Sequence, residues 1–238
     1  MTFRGRNMIP LEKGLIVELD YTAPGGLQFM FDTLRKTLSS IDPKLVAPTA
    51  VDEARYFAGR DCEAALGDYF SRHKCKKTAP KAARDLAAAM QAAFTKKLPS
   101  LVTQPVKNFI RAVAESGVRT VLVTCADVAD PAIAAFAAQL PGGGRVSIVH
   151  EDMTRYGGIS GGAVRRVVNL LRIHPSRLAL VAGSGHSVKE CLKYGIGSMA
   201  VSCRRNEYQD FSGVGTIVGE LGTPAARKAM AMLRVCPA

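Results

Sequence analysis

Two acidic residues near the start of the chain have the spacing of a chemical site. An apolar run, Leu15–Val17, leads into Glu18 and Asp20, and Thr22 follows. In a β-strand alternate side chains share a face, so we expect both carboxylates on one side of a strand. They would lie at its carboxyl end, where open α/β sheets bind ligands. Such a pair could hold a cation or divide the roles of nucleophile and general acid. The alternative is a sheet edge with solvated acids.

The elements that would position these acids lie mainly in the second half of the chain. Apolar runs there predict strands, and helical spacing predicts helices between them. The predicted strands are 118–124, 145–149, 178–181 and 198–202, and the predicted helices are 106–113, 131–140, 163–171 and 188–194. This alternation indicates an α/β fold with a doubly wound parallel sheet. Residues 24–100 show three helical patterns instead, which predicts a helical insertion after the first strand.

Composition is that of an ordinary globular protein, with 47% apolar and 22% charged residues. No apolar run approaches the roughly 18 residues that a membrane helix needs. The segment Met1–Arg6 lacks the apolar core of a secretory signal, so we expect a soluble, cytoplasmic protein. The six cysteines form no C-x-x-C pair, which favours buried or free thiols over a zinc site. They are Cys62, Cys75, Cys125, Cys191, Cys203 and Cys236.

The chain is basic, with a formal net charge of +12. Such a charge permits binding to phosphate-bearing partners. The densest patch runs from Arg72 to Arg84 and holds six basic residues and no acid. Few aromatic residues are interleaved with it, which disfavours base stacking. We therefore interpret the patch as solvated surface, and a nucleic-acid partner as permitted but not favoured.

The order of these parts resembles the haloacid dehalogenase-like (HAD) superfamily, in particular its helical-cap, β-phosphoglucomutase-like branch. That resemblance implies a Rossmann-like core at 1–23 and 101–238, an α-helical cap at 24–100, and Mg²⁺-dependent phosphoryl chemistry on a small phosphate ester. The family's first motif, D-x-D-x-T, corresponds to Glu18, Asp20 and Thr22. Glu18 takes the nucleophile position and Asp20 the acid/base position. Thr124, at a strand end, matches the second motif.

The remaining family motifs are degenerate here. The third motif supplies a lysine, but Gly157-Gly158 is followed by Ile159-Ser160 with no lysine. The fourth motif supplies two acids, and both are absent from the segment Gly183–Val188. Mg²⁺ demands nearly octahedral oxygen ligands, so Glu18 and Asp20 alone make a weak metal site. A glutamate in place of aspartate also displaces the carboxylate by about 1 Å, which disturbs in-line geometry.

Anion binding is a separate expectation for this region. Gly161 and Gly162 open a predicted helix, whose free N–H groups could receive an anion. Hydroxyls of Thr22, Thr124 and Ser184 could add donors. The alternative is that the glycines only serve tight turns. We interpret the two other candidates for acid–base or metal chemistry, His150 and His186, as hydrogen-bonded surface histidines.

Three functional hypotheses follow. The first is a HAD-like protein with a degenerate phosphoryl-transfer site, retained for binding a small phosphorylated ligand or a protein partner. The second is an active, low-turnover phosphatase or phosphomutase that uses Glu18 and Asp20. The third is a basic structural subunit of an RNA-containing assembly.

Overall fold

The computed structural model describes residues 12–235. Two predictions made from the sequence concern residues outside that range, namely the segment Met1–Arg6 and Cys236. The other five cysteines are free thiols, as predicted. Within residues 12–235 no helix is long and apolar enough to cross a bilayer.

Within residues 12–235, six parallel strands form one sheet in the order β3-β2-β1-β4-β5-β6. The strands are β1 (Gly14–Glu18), β2 (Arg119–Thr124), β3 (Val146–His150), β4 (Leu178–Ala182), β5 (Gly197–Val201) and β6 (Thr216–Val218). Because β1 pairs with both β2 and β4, the carboxyl ends of these three strands lie side by side. Polar residues that follow them are therefore brought to one edge of the sheet.

Helices cover both faces of the sheet. Helix α6 (Gln104–Glu115) comes directly before β2. The helices that follow β2 are α7 (Pro131–Ala138), α8 (Gly161–Leu171), α9 (Gly185–Leu192) and α10 (Thr223–Val235). Alternate residues of β1 enter different cores, because Leu15 and Val17 belong to one buried cluster and Ile16 to the other. The near-continuous apolar strands that predicted a doubly wound sheet are thus buried on both sides.

Between β1 and β2 the chain is helical. The elements are α1 (Leu19–Thr22), α2 (Gly26–Ile41), α3 (Ala50–Asp52), a π-helical turn (Glu53–Phe57), α4 (Cys62–Arg72) and α5 (Ala79–Leu101). The apolar faces of α2 and α5 are buried against each other, and Phe29 meets Phe94 edge to face at 5.1 Å between ring centroids. We keep the division of the chain into a core (1–23 and 101–238) and a cap (24–100) as a proposal.

One local prediction was wrong. The strand β1 ends at Glu18, and Asp20 lies in the helical turn α1 rather than on the same strand face. The turn is closed because the Thr22 hydroxyl donates to the Glu18 carbonyl at 2.8 Å. A close approach of Gly183 accompanies it: a Cβ on Gly183 would lie 2.3 Å from the Tyr21 carbonyl oxygen. The strand β6 and helix α10 were not predicted.

Candidate functional site

The Glu18 carboxyl group is buried at the carboxyl end of β1 and has two hydrogen-bond partners on each oxygen. Oε2 accepts from the backbone amides of Gly183 at 2.9 Å and Ser184 at 3.0 Å. Oε1 accepts from the hydroxyls of Ser184 at 3.1 Å and Ser187 at 2.5 Å. A carboxylate offers about four acceptor sites, so these donors use them all.

The four donors come from Gly183 and Ser184, which precede α9, and from Ser187 in its first turn. Ser184 is the N-cap, and its hydroxyl accepts from the Ser187 amide at 3.1 Å. Amides that precede and open a helix lack intrahelical partners, and a carboxyl group there satisfies them. Burial raises the pKa of Glu18 to about 8, although the four hydrogen bonds act in the opposite direction. Near neutral pH the protonated form is therefore favoured, in which the acid proton replaces one of the two hydroxyl donors and is accepted by that serine oxygen; in either form the group fastens β1 to the start of α9.

Asp20 is bound in a similar way to the end of β2. Its Oδ1 accepts from the Thr124 hydroxyl and its Oδ2 from the Cys125 amide, both at 2.6 Å. Only 2% of Asp20 is exposed, and burial raises the pKa of its carboxyl group. Thr124 was a predicted anion ligand, but its hydroxyl group already donates a hydrogen bond to Asp20.

The predicted anion ligands do not converge. Thr22 donates to a backbone carbonyl within α1, and Ser184 belongs to the Glu18 network. Gly161 and Gly162 open α8, but a Cβ on Gly161 would lie 3.2 Å from a carboxylate oxygen of Glu190. A carboxylate beside this helix start disfavours a second anion, because like charges repel.

Position 158, in the loop where the lysine was sought, is crowded against any side chain. A Cβ on Gly158 would lie 2.8 Å from the His186 ring and 3.1 Å from the Ser184 hydroxyl oxygen. His186 differs from its prediction as a hydrogen-bonded surface residue, because among the described residues its buried Nε2 has no hydrogen bond, and Glu190 Oε1 lies 3.9 Å away. Burial lowers the pKa of His186. His150 is half-buried and contacts the Ala126 carbonyl through Nδ1 at 2.9 Å, as predicted for a hydrogen-bonded histidine.

Two buried polar residues of this region were missed from the sequence. The Tyr21 hydroxyl has no hydrogen-bond partner within residues 12–235, and burial with the nearby Glu18 raises its pKa well above the usual value. Glu151 follows β3 and is buried, and hydrogen bonding from Ser160 lowers the pKa of its carboxyl group less than burial raises it. Burial raises the pKa of Glu151 to about 7. The sequence feature that could have indicated Tyr21 is its position between two candidate site residues, Asp20 and Thr22.

The insertion is fastened to the rest of the chain over this region. Glu53, buried in the π-helical turn, accepts from the Tyr156 hydroxyl at 2.8 Å and from Arg205 at 3.0 Å. The Arg205 guanidinium also lies 3.8 Å from the ring centroid of Phe31, a cation–π contact. A backbone hydrogen bond from the Gly59 amide to the Tyr156 carbonyl, 2.6 Å long, adds a further link.

A cavity of about 430 Å³ lies beside the two carboxyl groups, between α4 and α5 on one side and the loops after β2 and β3 on the other. Cys125 and His150 contribute to its wall, whereas Glu18 and Asp20 do not. Its charged lining comprises Asp61, Glu63, Arg84 and Asp152. Three carboxylates face one guanidinium, which disfavours a strongly anionic ligand.

The residues present do not fit a magnesium ion. The lone pairs of Glu18 are taken by hydrogen bonds or by its own proton, and each oxygen of Asp20 already accepts one hydrogen bond, from Thr124 or Cys125. Over residues 12–235, no group of three or more His, Cys, Asp or Glu side chains could hold a metal. Mg²⁺ requires several oxygen ligands with free lone pairs at about 2.0–2.1 Å.

Solved structures share this architecture, although no family model and no curated protein matches the chain. CbbY from Rhodobacter sphaeroides in complex with phosphate has a TM-score of 0.65 and 13% identity, over 94% of this chain and 100% of that one. β-Phosphoglucomutase from Clostridium difficile has a TM-score of 0.66 and 8% identity, over 94% of this chain and 98% of that one. A predicted phosphoglycolate phosphatase from Haemophilus somnus has a TM-score of 0.63 and 11% identity, over 91% of this chain and 98% of that one.

Proposed function

We propose that this chain, which has the haloacid dehalogenase-like fold with a helical cap, is a binding protein without efficient phosphoryl-transfer activity. The fold predicted from the sequence is confirmed. The observation that supports the loss of activity is the saturated carboxyl group of Glu18. A nucleophilic carboxylate must present a free lone pair to the electrophile. Here all four lone-pair positions are taken by hydrogen bonds from the protein or by the group's own proton.

The charge balance at the sheet edge supports the same proposal. Transfer of a phosphoryl group needs cations or fixed donors directed at the developing charge. No lysine follows Gly157-Gly158 in the sequence, and the Gly183 and Ser184 amides are already used by Glu18. Burial lowers the pKa of His186, which disfavours a cationic ring at this edge of the sheet.

Access to the carboxyl groups is restricted as well. Tyr21 is 7% exposed and lies among Glu18, Asp20 and Tyr156, where it occupies space beside the acids. The contacts of Arg205 and Tyr156 with Glu53 hold the insertion over them. A capped enzyme that turns over substrate must open and close such a cover. A fixed cover suits a protein whose role is binding.

The ligand or partner bound in this role is expected to differ from a phosphate ester. CbbY from Rhodobacter sphaeroides was solved with phosphate. In this chain the neighbouring cavity carries Asp61, Glu63 and Asp152 against Arg84, which disfavours a phosphorylated ligand. We therefore expect inorganic phosphate to leave the amide resonances of Gly183 and Ser184, next to Glu18, in place.

A phosphatase assay with Mg²⁺ and a generic aryl phosphate tests the proposal. We expect the wild type to release phosphate no faster than the Glu18→Ala variant. Magnesium-dependent release that Asp20→Asn abolishes, that Glu18→Asp improves, and that the exposed control Asp85→Asn leaves unaltered would establish the active phosphatase instead.

A further inference from the structure

A basic groove runs along the seam between α2 and α5, away from the Glu18 site. Two adjoining cavities of about 510 and 420 Å³ share Thr37 and Ser40 in their walls, and together they form what we call the α2–α5 groove. The helix α2 contributes residues from Phe29 to Ser40, which at 1.5 Å per residue gives a groove about 16 Å long.

The cations of the groove are four lysines. Lys76, Lys77 and Lys81 line one end, and Lys36 lines the other. All four are exposed, and none forms an ion pair with another residue in the described part of the chain. Unpaired ammonium groups that line one concavity favour an anionic occupant, because each is a strong donor without an acceptor.

Acids reduce this charge without cancelling it. Asp85 lines the same end as three of the lysines, and Asp32 lines the other end. Asp32 already accepts a hydrogen bond from Gln28 at 2.9 Å. Asp42 lies close to Lys77, whose charge contributes, after the Lys44 amide, to the lowered pKa of that carboxyl group. Lysines thus outnumber the two lining acids, and the surplus lies at the Lys76–Lys81 end.

The floor of the groove discriminates between polymeric anions. Its apolar lining consists of three alanines, Ala82, Ala89 and Ala93, and of two larger residues, Ile41 and Phe29, with hydroxyls of Thr37 and Ser40 beside them. An amphipathic acidic peptide needs pockets for large apolar anchors, and a lining rich in alanine offers few. A phosphate backbone needs only cations and hydroxyl donors. The lysines act as point charges, without the planar fork with which arginine reads bases.

From these features we infer that the α2–α5 groove binds the phosphate backbone of a single-stranded nucleic acid without base specificity. A concave basic groove tracks one strand, whereas a duplex is read by elements that protrude into its grooves. The single aromatic residue in the lining, Phe29, is too little to provide a stacking platform. The net charge of +12 extends the attractive field beyond the groove itself.

Fluorescence anisotropy with a labelled short oligouridine, over a salt series, tests this inference. Four phosphate contacts at about 0.7 each give a slope near −2.8 in log K against log salt, or about a 50-fold loss of affinity between roughly 50 and 200 mM. The double variant Lys77→Glu/Lys81→Glu should weaken binding at least about tenfold and reduce the slope by about 1.4.

A matched control separates the groove from net charge. Arg227→Glu/Lys228→Glu, at exposed positions of α10, changes the total charge by the same amount and should leave the slope unchanged. If the charge reversal disturbs folding, the milder variant Lys77→Gln/Lys81→Gln takes its place. It removes the same two cations and should reduce the slope by the same amount. Equal losses in the groove and control variants, or a slope of zero in the wild type, would overturn the inference. So would tighter binding of an oligoglutamate, which would identify an acidic protein partner instead.

Discussion

Replacement of Glu18 separates a structural carboxyl group from a catalytic one. In Glu18→Ala the buried amides of Gly183 and Ser184 lose their acceptor, at about 1–3 kcal/mol each. The hydroxyls of Ser184 and Ser187 lie 2.7 Å apart and can still bond to each other, so they add little. We expect the free energy of unfolding to fall by about 4 kcal/mol, which for a chain of this size lowers the melting temperature by about 8–16 °C.

Glu18→Gln is the informative partner of that variant. Its amide oxygen can accept from the two backbone amides, and its NH₂ group can donate to a serine hydroxyl, as the protonated acid does. We expect a loss of less than about 1 kcal/mol in the same denaturation assay. Glu63→Ala, at an exposed position, should stay within about 0.5 kcal/mol of the wild type. If the glutamine variant is as unstable as the alanine variant, Glu18 is held as an anion and the reasoning fails.

The difference in stability between the wild type and Glu18→Gln should depend on pH with a definite sign. The pKa of Glu18 is raised from 4.5 to about 8 on folding, so the folded state binds its proton more tightly than the unfolded state. The contribution of Glu18 to stability is therefore fully present below pH 4.5 and is lost as the pH rises towards 8, at up to about 1.4 kcal/mol per pH unit. The glutamine variant has no such loss. Denaturation across this window should show its stability rising relative to the wild type.

Two further changes test the surroundings of the site. Tyr21→Phe removes a buried hydroxyl that has no partner within residues 12–235, and should raise the free energy of unfolding by about 1 kcal/mol; a decrease would show that the hydroxyl is satisfied. Arg205→Ala removes a cation–π contact and a hydrogen bond to buried Glu53. It should speed hydrogen exchange at the Gly59 amide, whereas Arg227→Ala on α10 should not. Unchanged exchange in Arg205→Ala would show that the insertion is held by other contacts.

Much of the architecture could be predicted because its signals are local. The β-branched run before Thr124 and the apolar run before Ala182 specify buried strands on their own, and the structure ends both strands at these residues. The strand β6 has only three residues, and the buried face of α10 consists largely of alanines, so neither produced a strong pattern. The turn at Asp20 depends on Gly183, more than 160 residues away, and local spacing could not reveal it.

The site was predictable in its residues but not in its bonding. The loss of acids after Gly183 was visible, and so was the position of Glu18 at a strand end. That Ser184 and Ser187 would turn their hydroxyls onto Glu18 depends on how α9 packs against β1. The role of Arg205 was equally hidden, because it joins Glu53 across 152 residues of sequence.

The most direct test of the account is a magnesium titration followed through the amide resonances of Gly183 and Ser184, which report on the Glu18 oxygens. We predict that millimolar Mg²⁺ leaves both resonances in place in the wild type and in Glu18→Gln alike. A saturable shift in the wild type that the glutamine substitution removes would show that Glu18 exchanges its internal donors for a metal ion, and would contradict the account.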